Sequence, residues 1–288
     1  MDAPAPPWRF EAIGTVWEIG SGRPLSAEDR DAVAAIIDGF DRTWSRFRPD
    51  SVVSRLAASP GSVPPPGDAT PMLDLYAELA EATGGAVNPL VGESLARRGY
   101  DAALSLRDRG PVAAPADWRS ALAWSPDGLV LSEPATIDVG AIGKGRLVDL
   151  VHAALRSRGH TALVVDASGD LAVSGPAVRV GLEHPYDPTL AIGVVELRDR
   201  ALCASAVNRR AWGDGLHHVL DARTGEPVRT IAATWAIASS AMLADAAATA
   251  LFFDGGPAFA HAQGVEWVRM TTSGTVEWSP GSPAELFG

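Results

Sequence analysis

The sequence predicts an α+β fold, and three observations carry that reading. Strand-like alternation and helical 3.6-residue spacing succeed one another without the regular strand–helix–strand rhythm of a doubly wound parallel sheet. Gly and Pro number 29 and 22 in 288 residues, enough to break the chain into short elements joined by tight turns. Apolar residues make up 47% and charged residues 20%, the balance of a chain that buries a core.

The elements follow in order. Residues 1–9 read as a flexible, Pro-rich lead and 10–288 as a single domain, because no repeat, low-complexity tract or break in composition marks a boundary. Trp8 to Ile19 alternates in strand fashion around Gly14-Thr15, and Ala27 to Arg46 carries helical spacing at Val33, Ile36, Ile37, Phe40 and Trp44. A loop over Ser59 to Pro71 precedes a helix with Met72, Leu75, Leu79 and Ala82 inward, stopped by Gly84-Gly85. Leu122–Trp124 and Leu129–Leu131 flank Pro126-Asp127-Gly128 as a hairpin. Thr136 to Val139 reads as a strand that leads through a Gly-rich turn into a helix from about Gly145 to Arg158, with Leu147, Val148, Val151 and Leu155 inward. Strands dominate from Leu163–Asp166 onward, including Leu202–Ser205 and His218–Asp221. One Ala-rich helix over Ser240–Phe253 interrupts them before Trp267–Thr271 and Val276–Trp278.

Lys and Arg total 24 against 35 Asp and Glu, and a net charge of −11 has the wrong sign for a general grip on nucleic acid or anionic lipid. The single cysteine, Cys203, makes no intrachain disulfide and reads as a small buried hydrophobe. No basic segment followed by an apolar h-region opens the chain, and no apolar run is long enough for a membrane span, so a soluble, cytoplasmic protein is expected. Of the 24 cations one is a lysine, Lys144.

Four constellations can carry chemistry. Asp138-Val139-Gly140-Ala141-Ile142-Gly143-Lys144-Gly145 is a Gly-rich junction before a helix, where bare N–H groups suit a phosphate; plain turn chemistry is the competing reading. It is neither a P-loop nor a dinucleotide fingerprint. Asp166-Ala167-Ser168-Gly169-Asp170 reads as a tight turn, or as a small-residue approach to a ligand with a carboxylate beside it. Asp245 and Thr249 lie i, i+4 on one face of an apolar helix. They suit a hard cation if a carbonyl and phosphate oxygens complete the shell; otherwise Asp245 faces solvent and Thr249 bonds its own helix. His217 and His218 point to opposite sides of a strand and so do not share a metal, but one of them is a candidate general base.

Taken in order, these pieces resemble the ApbE-type family of FAD:protein FMN transferases. The resemblance rests on Ile13-Gly14-Thr15, Ser45 to Ser51 with Ser54-Arg55-Leu56, Thr83 to Pro89, Ile137 to Gly145, Asp166 to Asp170, His218 to Val228 and Ala244 to Ala250. It implies a T-fold-like mixed architecture with a largely antiparallel sheet. The activity it implies is magnesium-dependent transfer of FMN from FAD to a Thr or Ser hydroxyl of an acceptor protein, releasing AMP. Asp245, Thr249 and the Ala141 carbonyl stand at the family's metal-ligand positions. Ile13, Ala86, Val87, Asn88, Asp138, Lys144, Ser168, Gly169, Asp170 and Val219 stand at its FAD contacts, and His218 at its general base toward the acceptor hydroxyl. The family pattern is altered at Asn88, usually Asp, and at Ala204-Ser205-Ala206, usually Thr-Ser-Gly. Two further readings of the same residues are an FAD pyrophosphatase, with water replacing the hydroxyl, and a protein that binds FAD without turning it over. FAD and an acceptor protein are the expected partners; nucleic acid and membrane insertion are not expected.

Overall fold

A computed structural model describes residues 6–287. Residues 1–5 of the lead lie outside the described residues, and its last two residues, Trp8 and Arg9, already belong to a strand. β1 (Trp8–Ala12) and β2 (Thr15–Ser21) form an antiparallel hairpin. Its two-residue turn, Ile13-Gly14, has φ of +47° and +72°, the left-handed geometry whose twist suits paired strands. α1 (Ala27–Trp44) starts at a capping box in which Ser26 and Asp29 each accept the other's backbone N–H, and it buries Val33, Ile37, Phe40 and Trp44.

α2 (Val52–Ala58), β3 (Gly61–Val63), α3 (Ala69–Ala82) and α4 (Gly92–Arg97) follow. α5 (Trp118–Ala121) runs into β4 (Leu122–Ser125), which pairs with β5 (Gly128–Leu131) as the expected hairpin, and β3 joins on the other edge of β5. Thr136 to Val139 forms no strand: Asp138 N donates to Pro89 O at 2.8 Å, and the segment runs as a connector into α6 (Gly143–Ser157), which starts two residues before Gly145.

The rest of the chain is β6 (Leu163–Asp166), β7 (Asp170–Ser174), β8 (Val178–Glu183), β9 (Ala191–Leu197) and β10 (Ala201–Ala206), then the short β11 (Ala211–Trp212), β12 (Leu216–His217), β13 (Leu220–Asp221) and β14 (Glu226–Pro227). β15 (Ile231–Ala238), α7 (Ala241–Ala250), α8 (Gly256–Ala262), β16 (Glu266–Thr271), β17 (Val276–Trp278) and β18 (Glu285–Leu286) complete it. The main sheet has eight strands in the order β1-β2-β6-β7-β10-β15-β16-β17, and every neighbouring pair is antiparallel.

Residues of α1, α3, α6 and α7 pack one core with the sheet. On the opposite face Leu182, Ile192, Val195 and Leu197 of β8 and β9 pack on Leu171, Val173, Leu202, Trp235 and Ile237. β15 is therefore buried at all eight positions and reads as an apolar run without alternation. Two contacts fix α7 against α6. Asp149 of α6 accepts from Ala241 N at 2.7 Å and Met242 N at 2.9 Å, tying down the first turn of α7. At Gly145 a Cβ would stand 2.2 Å from Ala241 O and 2.7 Å from Asp245 Cβ, so only glycine lets the two helices meet this closely.

Candidate active site

A cleft of about 780 Å³ opens where the two core helices meet the end of the sheet. The fold brings Ile13, Ala86, Val87, Asn88, Asp138, Ala141 and Lys144 to its wall, and with them Ser168, Asp170, His218, Val219, Asp245 and Thr249. Gly169 is the one candidate that does not line it; its N–H donates to Asp166 Oδ1 at 2.9 Å. Ser168 and Gly169 have φ of +54° and +99°, so the β6–β7 hairpin turns in the same left-handed way as Ile13-Gly14. The two turns lie side by side, joined by the Ser168 hydroxyl donating to Val16 O at 2.9 Å. Non-glycine residues held at positive φ are strained, and Ile13 and Ser168 are both held so at the cleft wall.

The charged floor follows from the α6–α7 contact. Lys144 Nζ donates to Ala167 O at 3.1 Å and lies 3.0 Å from Asp170 Oδ2. Asp245 Oδ2 accepts from Gly145 N at 2.9 Å, so this carboxylate is buried against the start of α6 and not turned to solvent. Burial, then the neighbouring Asp170, push Asp245 well above the usual carboxylate range, and burial likewise raises Asp170. Burial opposes the charge on Lys144, yet Asp170 and Asp245 outweigh it and raise its pKa. Two buried carboxylates thus share one ammonium, an arrangement that leaves room for a further positive charge. Thr249 Oγ1 donates to Ala141 O at 3.4 Å instead of to its own helix, which sets a hydroxyl and a carbonyl beside Asp245.

The two histidines separate, but not across one strand: β12 ends at His217, and His218 lies in the bend before β13, which starts at Leu220 instead of at His218. His217 is buried and occupied: Nε2 pairs with Val228 O at 2.8 Å and Nδ1 accepts from Val219 N at 3.3 Å. His218 lines the cleft, and its Nδ1 is buried without a hydrogen-bond partner. Burial, followed by the nearby Arg210, His217 and Lys144, lowers the His218 pKa to about 3, so the ring is neutral at pH 7. Cys203 is buried, with Sγ donating to Ala241 O at 3.3 Å, and burial pushes its thiol well above the usual range.

A family model for the ApbE family matches residues 13–269. The chain belongs to the ApbE family. An FAD:protein FMN transferase of Rhodobacter capsulatus is 30% identical over 318 aligned residues, which take in 99% of this chain and 60% of that relative. Another, from Treponema pallidum (strain Nichols), is 29% identical over 263 residues, covering 77% of this chain and 70% of the relative. The chain therefore spans less than two thirds of the first relative's length. Among solved structures the ApbE protein of Thermotoga maritima superposes with a TM-score of 0.82 at 23% identity, over 95% of this chain and 96% of that one. The Pseudomonas stutzeri flavinyl transferase ApbE gives 0.81 at 23% identity, over 95% and 94%. The largely antiparallel mixed fold is thus the ApbE fold.

Within this family setting the altered Asn88 has a physical reason. Its Oδ1 accepts from Leu90 N at 2.8 Å while its Nδ2 donates to Pro115 O at 2.8 Å, and a carboxylate could do only the first. The cleft also holds residues that the sequence left unassigned. Arg46 Nε donates to Asp138 Oδ2 in a buried ion pair. Tyr76 donates to Asp138 O at 3.0 Å and accepts from Ala141 N at 3.3 Å; burial, then Asp138, push its pKa well above 10, so it stays a donor. Tyr76 sits in register with Met72 and Leu79 and so reads as core, and Arg46 reads as a helix end until Asp138 is seen beside it.

Proposed function

We propose that the chain is an FAD:protein FMN transferase that moves FMN from FAD to a Thr or Ser hydroxyl of an acceptor protein, releases AMP and uses Mg2+. The observation that carries the reading is the convergence of Asp245, Thr249 and the Ala141 carbonyl on one side of a cleft that has Lys144 on its floor and the neutral His218 on its wall. The donors there are all oxygen, which suits a hard divalent cation that keeps waters or phosphate oxygens in its remaining positions. When bound, Mg2+ supplies Lewis-acid neutralisation of pyrophosphate charge.

This chain's own residues do the rest. Lys144, held by Ala167 O and Asp170, presents a compact ammonium where a phosphate would lie. Asp138, fixed by Arg46 and by Gly140 N at 2.7 Å, and the two strained turns shape the wall that receives FAD. His218 takes the proton of the acceptor hydroxyl as it attacks the FMN-side phosphorus. The Ala204-Ser205-Ala206 segment also lines the cleft and supplies one hydroxyl where the family pattern has two.

Incubation with FAD, Mg2+ and an acceptor carrying the family's flavinylation motif should give a flavin-fluorescent acceptor band on a denaturing gel, with AMP as the released nucleotide. FMN and AMP without a labelled band would replace the reading with a pyrophosphatase. Bound FAD with neither product would replace it with a binding protein.

A further inference from the structure

We propose that Arg210 completes the catalytic site when the flavin nucleotide binds: its guanidinium takes phosphate charge, and its backbone carbonyl accepts the Nδ1 proton of His218, leaving Nε2 free as the base. The inference rests on the transferase reading and names residue roles that reading does not contain.

The guanidinium comes first. Four arginines line the cleft, and three of them are neutralised within the protein. Arg46 is paired with Asp138, Arg48 with Asp41 and Asp50, and Arg209 with Glu183 at 2.9 Å. Arg210 has no carboxylate within ion-pair distance among the described residues; its guanidinium stands 5.8 Å from the centre of the Tyr100 ring, on the cleft wall. It lines the same cleft as His218 and Asp245, and its charge opposes protonation of both. The two residues before it are tied to the β8–β9 arm: Asn208 donates to Pro185 O and Arg209 pairs with Glu183. An exposed, unpaired cation on the cleft wall is placed to meet an anion, and a free guanidinium matches two phosphate oxygens at once.

The backbone comes second. His218 lines the cleft and Nδ1 is its buried nitrogen, so Nε2 is the one presented to the ligand. Nδ1 lacks a partner within hydrogen-bond geometry, yet the Arg210 backbone lies near enough to favour a proton on the ring, as a carbonyl acceptor does. A short closing movement of this segment satisfies Nδ1 and brings the guanidinium inward together, since catalytic hydrogen bonds commonly tighten when substrate binds. A carbonyl on Nδ1–H fixes the tautomer whose Nε2 lone pair faces the cleft. In the transfer step the acceptor oxygen forms its bond to the FMN-side phosphorus and the bridging P–O bond breaks. The electron pair leaves on AMP, and the hydroxyl proton goes to Nε2.

Arg210→Ala and Arg210→Lys are compared with the wild-type chain in three measurements. In FAD and riboflavin titrations, Arg210→Ala is expected to lose about tenfold in FAD affinity and nothing in riboflavin affinity, with Arg210→Lys between. Removing one transition-state donor typically lowers kcat by about 10²–10³, and that is the loss expected for FMN transfer. Long-range proton–nitrogen NMR of the 15N-histidine-labelled protein, assigned with His218→Gln, is expected to show the Nδ1–H tautomer at His218 once FAD is bound. Equal losses for FAD and riboflavin, wild-type kcat in Arg210→Ala, or an Nε2–H tautomer in the FAD complex would each overturn the proposal. A wild-type chain that binds FAD but forms no product overturns the transferase reading instead, and the affinity and tautomer results still decide Arg210.

Discussion

Replacing Gly145 with alanine adds one methyl group where α6 and α7 touch. That methyl would lie 2.2 Å from Ala241 O and 2.7 Å from Asp245 Cβ. Neither neighbour is the end of a flexible side chain, so the helices must part by about 1 Å, the scale of overpacking that costs about 1–3 kcal/mol. Helix propensity works the other way, because alanine in a helix interior is favoured over glycine by about 1 kcal/mol. The displacement also stretches the Gly145 N–H bond to Asp245, and a hydrogen bond to a charged group contributes about 1.5–3 kcal/mol. The expected net loss is about 2 kcal/mol, read from urea unfolding, with weaker Mg2+-dependent FAD binding because Asp245 has moved. Gly39→Ala is the matched control: Gly39 is exposed inside α1 and nothing lies within 4 Å of a Cβ there, so a gain of about 0.5–1 kcal/mol is expected. A Gly145→Ala variant as stable as Gly39→Ala would refute the close helix contact.

Lys144→Arg should lower FAD affinity about tenfold, equivalent to about 1.4 kcal/mol, because a planar guanidinium does not fit the point between Ala167 O and Asp170 Oδ2; a fluorescence titration with unchanged affinity would contradict this. His218 titrates near 3 when folded and near its ordinary 6.5 when unfolded. Between those values the unfolded chain binds more protons, so this residue makes stability fall as pH drops from about 6.5 toward 3, and His218→Gln should flatten that part of the urea-midpoint profile. The same shift keeps the base neutral, so kcat/KM should show no His218 inflection between pH 6 and 8. Asp29 accepts from Ser26 N at 3.0 Å, Arg158 Nε at 2.7 Å and His160 Nε2 at 2.9 Å, and the Arg158 bond above all holds its carboxyl far below the usual range. Its contribution is present above the unfolded carboxylate pKa and lost as pH falls through the folded one. Asp29→Asn should therefore cost about 3 kcal/mol at pH 7, with a deficit that shrinks in acid.

The long amphipathic helices are legible because α1 and α6 carry clean stripes, and the small residues of Asp166–Asp170 mark a tight turn; the first hairpin turns at Ile13-Gly14, one residue before the Gly14-Thr15 position the alternation suggests, and positive φ at Ile13 and Ser168 has no sequence signal. α2 and α4 are too short to show a period, and Thr136–Val139 looks like a strand until its hydrogen bonds are seen going to a neighbouring loop. The order of the main sheet joins β2 to β6 and β10 to β15, pairings across long separations that no local pattern encodes. In the cleft, Asp245 and Thr249 stood out as polar residues on an apolar helix. Tyr76 and Arg210 did not, because a tyrosine in a core stripe and an arginine in a loop have ordinary explanations until the fold sets them beside Ala141 and His218.

Intact-protein mass spectrometry of the acceptor after incubation with FAD and limiting Mg2+, comparing the wild-type chain with Asp245→Ala, tests the central claim most directly. The expected result is one FMN phosphoester per acceptor and matching AMP with the wild type, and neither with Asp245→Ala. An unmodified acceptor with FAD intact, or an Asp245→Ala variant as active as the wild type at limiting Mg2+, would contradict it.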